Sequence, residues 1–368
     1  MTVPQFDIAI IGAGMAGASL AEELSAHGAR NIVVLEAESQ PGYHSTGRSA
    51  AFWEECYGGP EIVPLTLASG PYLEKHGFLT PRGALYLARE QDETKIEDHF
   101  ARFGDTGAQF ERIDRAALDR KVPGLRPEWD RAIWQARCAD IDVAALHQHY
   151  LGRARSGGVQ ILCDARVSGI ARSNAHWTLA LADGREVESA LLVNAAGAWA
   201  DNLADLAGAR PLGIQPLRRT VVQLRVDPAP RSDMPLCLDI SGEFYFKPES
   251  GRLWLSPHDE TPSAALDAAP EELDIALAID RLEQTATWKV EAVERKWAGL
   301  RSFAPDRKPV YGYDEKVSGL FWFAGQGGYG IQTAPAAARL GAQLLMDLPS
   351  DTMTSEIDAQ NYTPRRFS

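Results

Sequence analysis

The sequence predicts an α/β fold in which a largely parallel sheet is interrupted by a second domain built on an antiparallel sheet. Three observations support this prediction. A strand, a glycine turn, a helix and a second strand occupy residues 6–36, and a second glycine loop precedes an alanine-rich helix after residue 325. Between these segments, much of 211–303 has the alternating apolar pattern of antiparallel strands.

The N-terminal segment has the pattern of a dinucleotide-binding βαβ unit. Gly12, Gly14 and Gly17 form a GxGxxG motif between strand and helix, and Glu36 ends the next strand. The first glycine permits a tight turn, the second lets the backbone approach a pyrophosphate, and the third lets the helix pack on the strand. The helix N-terminus favours phosphate, and Glu36 can accept hydrogen bonds from ribose hydroxyls. The pattern therefore predicts a Rossmann-like nucleotide-binding domain.

The remaining elements are predicted from local sequence patterns. The polar loop at 40–51 is too aperiodic for a strand, and we expect it to lead into a helix near Ser49. Asp183-Gly184 indicates a hairpin turn. Apolar periodicity predicts helices over 93–103, 142–156, 270–287 and from the second glycine loop to about Met346. Strand patterns cover 159–162, 177–181, 186–190, the start of 191–201, 220–226, 243–246, 253–255 and 320–324.

The order of these elements indicates two interleaved domains. Segments with the sequence patterns of a nucleotide-binding domain lie at both ends of the chain and in its middle. We therefore expect residues 1–80, 140–212 and 306–368 to form one nucleotide-binding domain. Residues 81–139 and 213–305 would form the second, substrate-binding domain.

Composition narrows the classes of partner. A net charge of −13 argues against nucleic acid and anionic membrane surfaces. The four cysteines lie far apart without a CxxC pair, which favours reduced thiols and gives no metal site. No apolar stretch approaches the length of a membrane span, and the glycine motif begins almost at residue 1. We therefore expect a cytoplasmic protein with no transmembrane segment and no cleaved signal.

Five blocks of the sequence together resemble one family. They are GAGMAGAS at 12–19 with Glu36, YHSTGRSAA at 43–51, VNAAGAWAD at 193–201, WAGLRSF at 297–303 and GQGGYGIQT at 325–333. In this order they resemble the D-amino-acid oxidase and glycine/sarcosine oxidase class of FAD enzymes over nearly the whole chain. Within the class, they are most similar to the bacterial D-arginine dehydrogenases. The resemblance implies an interrupted Rossmann-like FAD domain of the GR2 type.

The resemblance implies FAD as the cofactor. NAD is the alternative for a GxGxxG motif, but it does not explain the second glycine loop. Some related flavoenzymes attach FAD through a histidine or a cysteine; for His44 we favour a hydrogen-bonded loop position, and noncovalent FAD. The residues assigned to the cofactor are Gly12, Gly14, Ala16, Gly17, Glu36, Ala37, Ser45, Thr46, Arg48, Ser49, Ala50, Gly197, Gly327, Gly328, Tyr329, Gly330, Ile331 and Gln332.

The resemblance also implies a reaction and the residues that carry it. A hydride passes from the α-carbon of an amino acid to flavin N5, and the imino acid hydrolyses to a 2-keto acid and ammonia. The residues assigned to the substrate are Arg301, Arg219, Tyr245, Tyr57, Gly328 and Gln332. Arg301 would clamp the carboxylate, because guanidinium is planar, charged and bidentate. An ordinary ion pair is the alternative for either arginine, and a core position for either tyrosine.

Departures from the family pattern bear on substrate and oxidant. Ala84 stands where the arginine-preferring relatives carry a glutamate, and Phe52, Leu236 and Leu238 complete an apolar pocket. Such a pocket would desolvate a cationic side chain without pairing it, so we expect neutral or apolar D-amino acids. Trp254 stands where sarcosine oxidases place an oxygen-activating lysine. We therefore expect a dehydrogenase that passes electrons to a quinone or another carrier, with O2 as the alternative acceptor.

Three other functions stay open at this point. A 2-hydroxyacid dehydrogenase of the same fold would use the same arginine with an added base. A glycine or sarcosine type of amine oxidase would share the cofactor site. A flavoprotein without catalysis is disfavoured by the presence of Arg301 together with Gly328 and Gln332.

Overall fold

The computed structural model describes residues 3–173 and 176–368. Its strands are β1 (Gln5–Ile11), β2 (Ile32–Leu35), β3 (Phe52–Trp53), β4 (Leu79–Pro81), β5 (Ala84–Ala88), β6 (Glu111–Ile113), β7 (Arg131–Gln135), β8 (Ala139–Ile141), β9 (Gln160–Leu162), β10 (Val167–Ser173), β11 (His176–Leu181), β12 (Glu186–Asn194), β13 (Gln215–Asp227), β14 (Leu236–Asp239), β15 (Tyr245–Glu249), β16 (Arg252–Ser256), β17 (Thr261–Pro262), β18 (Lys289–Phe303), β19 (Val310–Tyr313), β20 (Leu320–Ala324) and β21 (Gln326–Gly327). Its α-helices are α1 (Met15–Ala26), α2 (Val63–Lys75), α3 (Glu93–Phe103), α4 (Arg115–Lys121), α5 (Val143–Ser156), α6 (Ala200–Leu206), α7 (Glu272–Thr285) and α8 (Ala334–Met346).

The described residues form an eight-stranded sheet, a ten-stranded sheet and a three-stranded sheet. In the eight-stranded sheet, β1 lies between β12 and β2, and all three are parallel. β9 extends the parallel part beside β2, and β20 extends it beside β12. β2 and β20 are buried at every position, as expected for parallel strands that are covered on both faces. Helix α1 packs against α5 and α8 on one side of this sheet.

The ten-stranded sheet has the order β21-β18-β13-β16-β15-β14-β5-β7-β6, with β17 paired to β13. It is antiparallel except where β14 and β5 pair in parallel. One face carries an apolar core in which Val222, Phe246 and Leu255 pack with residues of α4 and α7. The other face is turned toward the eight-stranded sheet. The α/β class with a separate antiparallel sheet is thus confirmed, and the parallel pair is an addition to it.

The two sheets draw on alternating parts of the chain. The eight-stranded sheet takes strands from 5–35, 160–194 and 310–324, and the ten-stranded sheet takes them from 84–135, 215–303 and 326–327. We propose that these sheets mark the two interleaved domains expected from the sequence, with 1–80, 140–212 and 306–368 in one and 81–139 and 213–305 in the other. The short β21 reaches across this division, since it pairs with β18.

Several local predictions can be compared with the structure. The hairpin of β11 and β12 is confirmed, and β12 continues without a break from Glu186 to Asn194. The helix at 93–103 is also confirmed. The helix expected near Ser49 is wrong: the chain turns through the preceding loop and then extends as β3, because Phe52 and Trp53 pair with β8. The next helix begins only at Val63. Within the described residues, no helix is long and apolar enough to cross a membrane.

The third glycine of the motif is fixed by close packing. A Cβ atom on Gly17 would lie 1.9 Å from the carbonyl oxygen of Gly12. We therefore expect Gly17→Ala to push α1 away from β1 and to lower the free energy of unfolding by about 1–3 kcal/mol, as overpacking does. Gly152 is the matched control, because a Cβ atom there meets nothing within 4 Å and the residue lies within α5. Urea denaturation of both variants measures the difference; equal stability would contradict the packing argument.

Candidate active site

One large cavity, here called the first cavity, runs between the two sheets. It begins at the glycine turn after β1 and ends at the face of the ten-stranded sheet. Among the residues expected to hold the cofactor, it is lined by Gly12, Gly14, Ala16, Glu36, Ala37, Ser45, Thr46, Arg48, Ser49, Ala50, Gly197, Gly327, Gly328, Gly330, Ile331 and Gln332. Among those expected to hold the substrate, it is lined by Phe52, Tyr57, Arg219, Tyr245 and Arg301. Residues from distant parts of the chain therefore share one cleft.

The nucleotide end of the first cavity is built by β1, α1 and β2. Glu36 accepts hydrogen bonds from the backbone N–H groups of Ala13 (2.9 Å) and Glu38 (3.0 Å), so its carboxylate is fixed at the end of β2. Helix α1 begins after Gly14, which has no side chain to cap it, and Thr46 Oγ1 accepts a hydrogen bond from the first helical N–H, that of Met15. A Cβ atom on Gly14 would meet only Thr46 Oγ1, at 3.3 Å. The start of the helix lines the cavity, so a phosphate group can reach it beside the Thr46 hydroxyl.

The loop at 42–51 crosses from one sheet to the other. Thr46 Oγ1 accepts a hydrogen bond from the Met15 N–H at 3.0 Å, and Ser45 Oγ donates one to the Leu300 carbonyl at 2.6 Å. The guanidinium of Arg48 binds Asp267 and donates to the carbonyl groups of β18 and the adjacent loop. The loop therefore ties the glycine motif to strand β18.

The second glycine loop lies at the opposite wall, before α8. Gln332 donates hydrogen bonds to Thr66 Oγ1 (2.8 Å) and the Glu54 carbonyl (3.2 Å), and it accepts one from the Glu54 N–H (3.2 Å). It is thus a positioning residue for the turn that carries Tyr57. Gly17 and Tyr329 lie outside the lining of the first cavity. Gly17 packs on the turn beneath it, and the Tyr329 hydroxyl donates to the Arg307 carbonyl.

Strand alternation explains why the two arginines meet. In the ladder between β13 and β18, Arg219 is paired with Gly299. Paired residues point to the same face of a sheet, and so does every second residue along a strand. Arg301, two residues beyond Gly299, therefore shares the cavity face with Arg219. A shift of one residue in this ladder would turn one of the two side chains into the opposite core.

The same alternation places the expected substrate pocket. Tyr245 on β15 pairs with Leu238 on β14, and Leu236, two residues earlier, pairs with Ala84 on β5. All four lie in one buried cluster that also contains Phe52. Ala84 and Leu236 are completely buried behind the cavity walls, whereas Leu238 lines a neighbouring cavity. The structure thus brings these residues together as an apolar wall, with Phe52 and Tyr245 at its surface.

The two arginines, here called the clamp, are held by groups on one loop and by Tyr57. Arg219 is 6% exposed and donates to the Asp259 carbonyl at 3.0 Å. Arg301 Nη1 lies 3.4 Å from the Tyr57 hydroxyl, and its Nη2 lies 2.9 Å from Glu260 Oε1. Burial, and then the charge of Arg301, lower the pKa of Arg219. Two adjacent cations, one buried and one partly buried, favour an anion between them.

A small glycine is needed beside the clamp. A Cβ atom on Gly328 would lie 2.8 Å from the Tyr57 hydroxyl and 3.1 Å from both Cδ and Nη1 of Arg301. Any larger residue would therefore fill the space between the tyrosine and the arginine. Because position 328 has no side chain, the backbone of the second glycine loop can approach the clamp.

A second cavity adjoins the first and shares Tyr57, Arg301 and Gly328 with it. Sequence analysis did not identify two of its residues, Glu260 and His258. Burial alone would raise the pKa of Glu260, but hydrogen bonds and charges from Arg307 and Arg301 outweigh it and lower this pKa to about 2. Burial and the charge of Arg219 lower the pKa of His258 to about 3. Both residues lie on the loop after β16, where no strand or helix pattern marked them.

A buried acid supports the turn before Tyr57. Glu54 is fully buried, accepts a hydrogen bond from the Tyr86 hydroxyl at 2.7 Å and accepts another from the Cys56 N–H at 3.1 Å. Burial raises its pKa to about 7. The adjacent Glu55 points elsewhere, since it forms an ion pair with Arg137 at 2.7 Å.

Comparisons with known proteins decide the family. A family model described as FAD dependent oxidoreductase, abbreviated DAO, matches residues 7–344. The chain belongs to the DAO family of FAD-dependent oxidoreductases. The chain is 25% identical to FAD-dependent oxidoreductase domain-containing protein 1 of Xenopus laevis over 415 residues, which cover 98% of this chain and 82% of that protein.

Solved structures show the same fold as this DAO-family enzyme. L-proline dehydrogenase from P. horikoshii superposes with a TM-score of 0.86 at 22% identity, over 100% of this chain and 98% of that one. Glycine oxidase from Geobacillus kaustophilus superposes with a TM-score of 0.83 at 21% identity, over 98% of each chain. Both superpositions include the antiparallel sheet as well as the nucleotide-binding part, since they span nearly the whole chain.

The first cavity of this DAO-family enzyme has the chemistry that FAD requires. It offers the start of α1 beside the Thr46 hydroxyl for the pyrophosphate, the fixed carboxylate of Glu36 for a ribose, and the second glycine loop for the flavin. Among the described residues, no cluster of three or more His, Cys, Asp or Glu side chains is placed to hold a metal ion.

We expect FAD to be bound noncovalently. His44 lines the first cavity, but its Nε2 is hydrogen-bonded to Glu38 Oε1 at 2.9 Å, and none of the four cysteines, all of them described, lines this cavity. Acid precipitation of the purified protein should therefore release the flavin as FAD into the supernatant. The flavin content of supernatant and pellet is measured by absorbance. A yellow pellet would show a covalent bond.

The raised pKa of Glu54 predicts a pH-dependent stability. Folding raises this pKa from 4.5 to about 7, so the folded state holds the proton more tightly than the unfolded chain. The resulting stabilisation is complete below pH 4.5 and is lost as the pH rises through about 7. Glu54→Gln keeps the shape and should remove this part of the decline. Melting temperatures between about pH 5 and pH 8 measure it, with the exposed Glu272→Gln as control. Parallel curves for all three proteins would contradict the assignment.

Proposed function

We propose that this enzyme oxidatively deaminates D-amino acids with neutral or apolar side chains to 2-keto acids and ammonia. The observation that carries the proposal is the clamp: Arg219 and Arg301 converge with Tyr57 and Tyr245 on the end of the FAD cavity opposite the glycine motif. Two arginines and two hydroxyl groups match a carboxylate. The similarity of the sequence blocks to D-arginine dehydrogenases supports the D series.

The residues of this chain position the substrate in the proposed reaction. FAD, when bound, supplies the two-electron oxidant for the bond between the α-carbon and its hydrogen. The clamp fixes the substrate carboxylate, and the backbone of Gly328, beside Arg301, offers a carbonyl group to the amine. Gln332 holds the turn that carries Tyr57. Correct orientation of this kind can supply about 7–11 kcal/mol of the barrier in favourable cases.

The apolar wall supports the side-chain preference. Phe52 and Tyr245 cover Ala84, Leu236 and Leu238, and all five residues are buried. A cationic side chain placed against this wall would lose its hydration without gaining a partner. Glu54, a buried acid two residues after Phe52, is already hydrogen-bonded to Tyr86.

His258 favours an amino acid over a 2-hydroxy acid as substrate. Oxidation of a hydroxy acid needs a base for the hydroxyl proton, whereas an amine can lose its proton to water before binding. His258 stacks edge-on against Tyr245, with ring centroids 5.7 Å apart. Its pKa of about 3 makes it a weak base near neutral pH.

The surroundings of Trp254 support a dehydrogenase. A buried lysine, Lys247, is paired with Trp254 in the sheet. Its ammonium group donates to Asp140 at 2.7 Å, and Lys247 does not line the first cavity. The cation that oxygen activation would need is therefore engaged elsewhere. We propose a quinone or another carrier as the electron acceptor, with O2 as the alternative. We also propose that the protein is cytoplasmic.

The substrate class is tested by anaerobic reduction of the bound flavin. The purified enzyme is mixed with matched D- and L-amino acids and with 2-hydroxy acids, and the loss of flavin absorbance is recorded. We expect reduction by neutral D-amino acids, faster than by D-arginine. Reduction by 2-hydroxy acids alone, or by L-amino acids alone, would contradict the proposal.

The clamp is tested by Arg301→Lys. Lysine keeps the charge but loses the bidentate geometry, and loss of a buried charge-assisted pair costs about 2–5 kcal/mol. We expect kcat/KM for D-leucine to fall by about 30-fold or more, with FAD content unchanged. Arg295→Lys is the matched control, because Arg295 lies on the same strand and is exposed. If both variants kept full activity, Arg301 would not bind the substrate carboxylate.

A further inference from the structure

Three arginines meet one carboxylate where the two cavities join. Glu260 Oε1 lies 2.9 Å from Arg301 Nη2, 2.8 Å from Arg307 Nη2 and 3.6 Å from Arg219 Nη2. All three contacts are made to the same oxygen atom. Glu260 is about one-third exposed and lies on the loop between β16 and β17, so it enters the clamp from the side of the second cavity.

The clamp keeps N–H donors that form no hydrogen bond with Glu260, although Arg219 Nη2 lies 3.6 Å from it. Arg219 Nη2 and Arg301 Nε are buried and have no hydrogen-bond partner among the described residues. Other nitrogen atoms of the pair are already engaged: Arg219 Nε donates to the Asp259 carbonyl, Arg301 Nη1 to the Tyr57 hydroxyl, and Arg301 Nη2 to the Asp259 carbonyl and Glu260. These two nitrogen atoms, one on each guanidinium, suit the two oxygens of one incoming carboxylate.

Glu260 stays negative at every physiological pH, because its arginine neighbours hold its pKa near 2. A second carboxylate on the substrate would have to lie beside this charge. Like charges brought together in a partly buried site are strongly disfavoured, and proteins use such repulsion to exclude wrong ligands.

We propose that Glu260 determines substrate specificity by occupying the place that a second substrate carboxylate would take. The inference rests on the proposed function, since it assumes that the clamp binds the first carboxylate. Glu260 thereby limits the enzyme to substrates with one carboxylate. Without it, Arg307 and the outer donors of Arg301 form a second anion site in the second cavity.

The variant Glu260→Gln keeps the shape of the side chain and removes its charge. We expect it to raise the ratio of kcat/KM for D-glutamate over D-leucine by about tenfold or more. Glu260→Asp keeps the charge and should retain the low wild-type ratio. The double variant Glu260→Gln with Arg307→Gln should lose the gain, because the second anion site then lacks its outer arginine. Glu272→Gln, an exposed acid paired with Lys296, controls for the loss of one surface charge.

Binding separates this inference from the proposed reaction. The FAD-loaded proteins are titrated with propionate and with succinate, by calorimetry. Tighter succinate binding in Glu260→Gln, with propionate changed much less, would support the inference even if no D-amino acid were oxidised. An equal change for both acids would make Glu260 a simple counter-ion and overturn the inference, leaving the clamp intact. Binding of neither acid to any variant would overturn the clamp and this inference together.

Discussion

The pairing of β13 with β18 is the constraint on which the site depends. Thirteen residues of β13, from Gln215 to Asp227, are paired along β18, with bulges only beyond Gln223. The regular part of this ladder sets Arg219 and Arg301 on one face, while Val222 and its neighbours fill the core under α7 on the other. Because side chains alternate, the register that buries the apolar core also turns both arginines toward the first cavity. The packing of this core and the placement of the clamp therefore depend on the same strand register.

The cofactor end could be predicted from the sequence because its requirements are local. The glycine spacing, the strand before it and Glu36 after it all lie within one βαβ unit, and each residue answers a steric or electrostatic need of that unit. Gly17 has no room for a side chain, and Glu36 is fixed by two backbone N–H groups. The glycine loop before α8 lies about three hundred residues after the N-terminal glycine loop. Only the family resemblance therefore connected the two loops.

The substrate end was predicted less completely, for a physical reason. Arg219 and Arg301 lie in recognisable blocks, but Glu260 and His258 lie on a loop whose position depends on the paired strands around it. Lys247 was also missed, since its partner Asp140 comes from the small sheet with β3. Such contacts between distant segments leave no periodic signal. The expected helix near Ser49 failed in the same way: pairing with β8 overrode the local preference.

A crystal structure of the FAD-loaded enzyme with propionate tests the central claim most directly, because it locates the carboxylate without any assumption about turnover. The account predicts that the carboxylate lies between Arg219 and Arg301, in front of the flavin, with Tyr57 closing over it. Glu260 would keep its contact with Arg307 beside the ligand. A carboxylate bound away from both arginines, or a flavin outside the first cavity, would contradict the account.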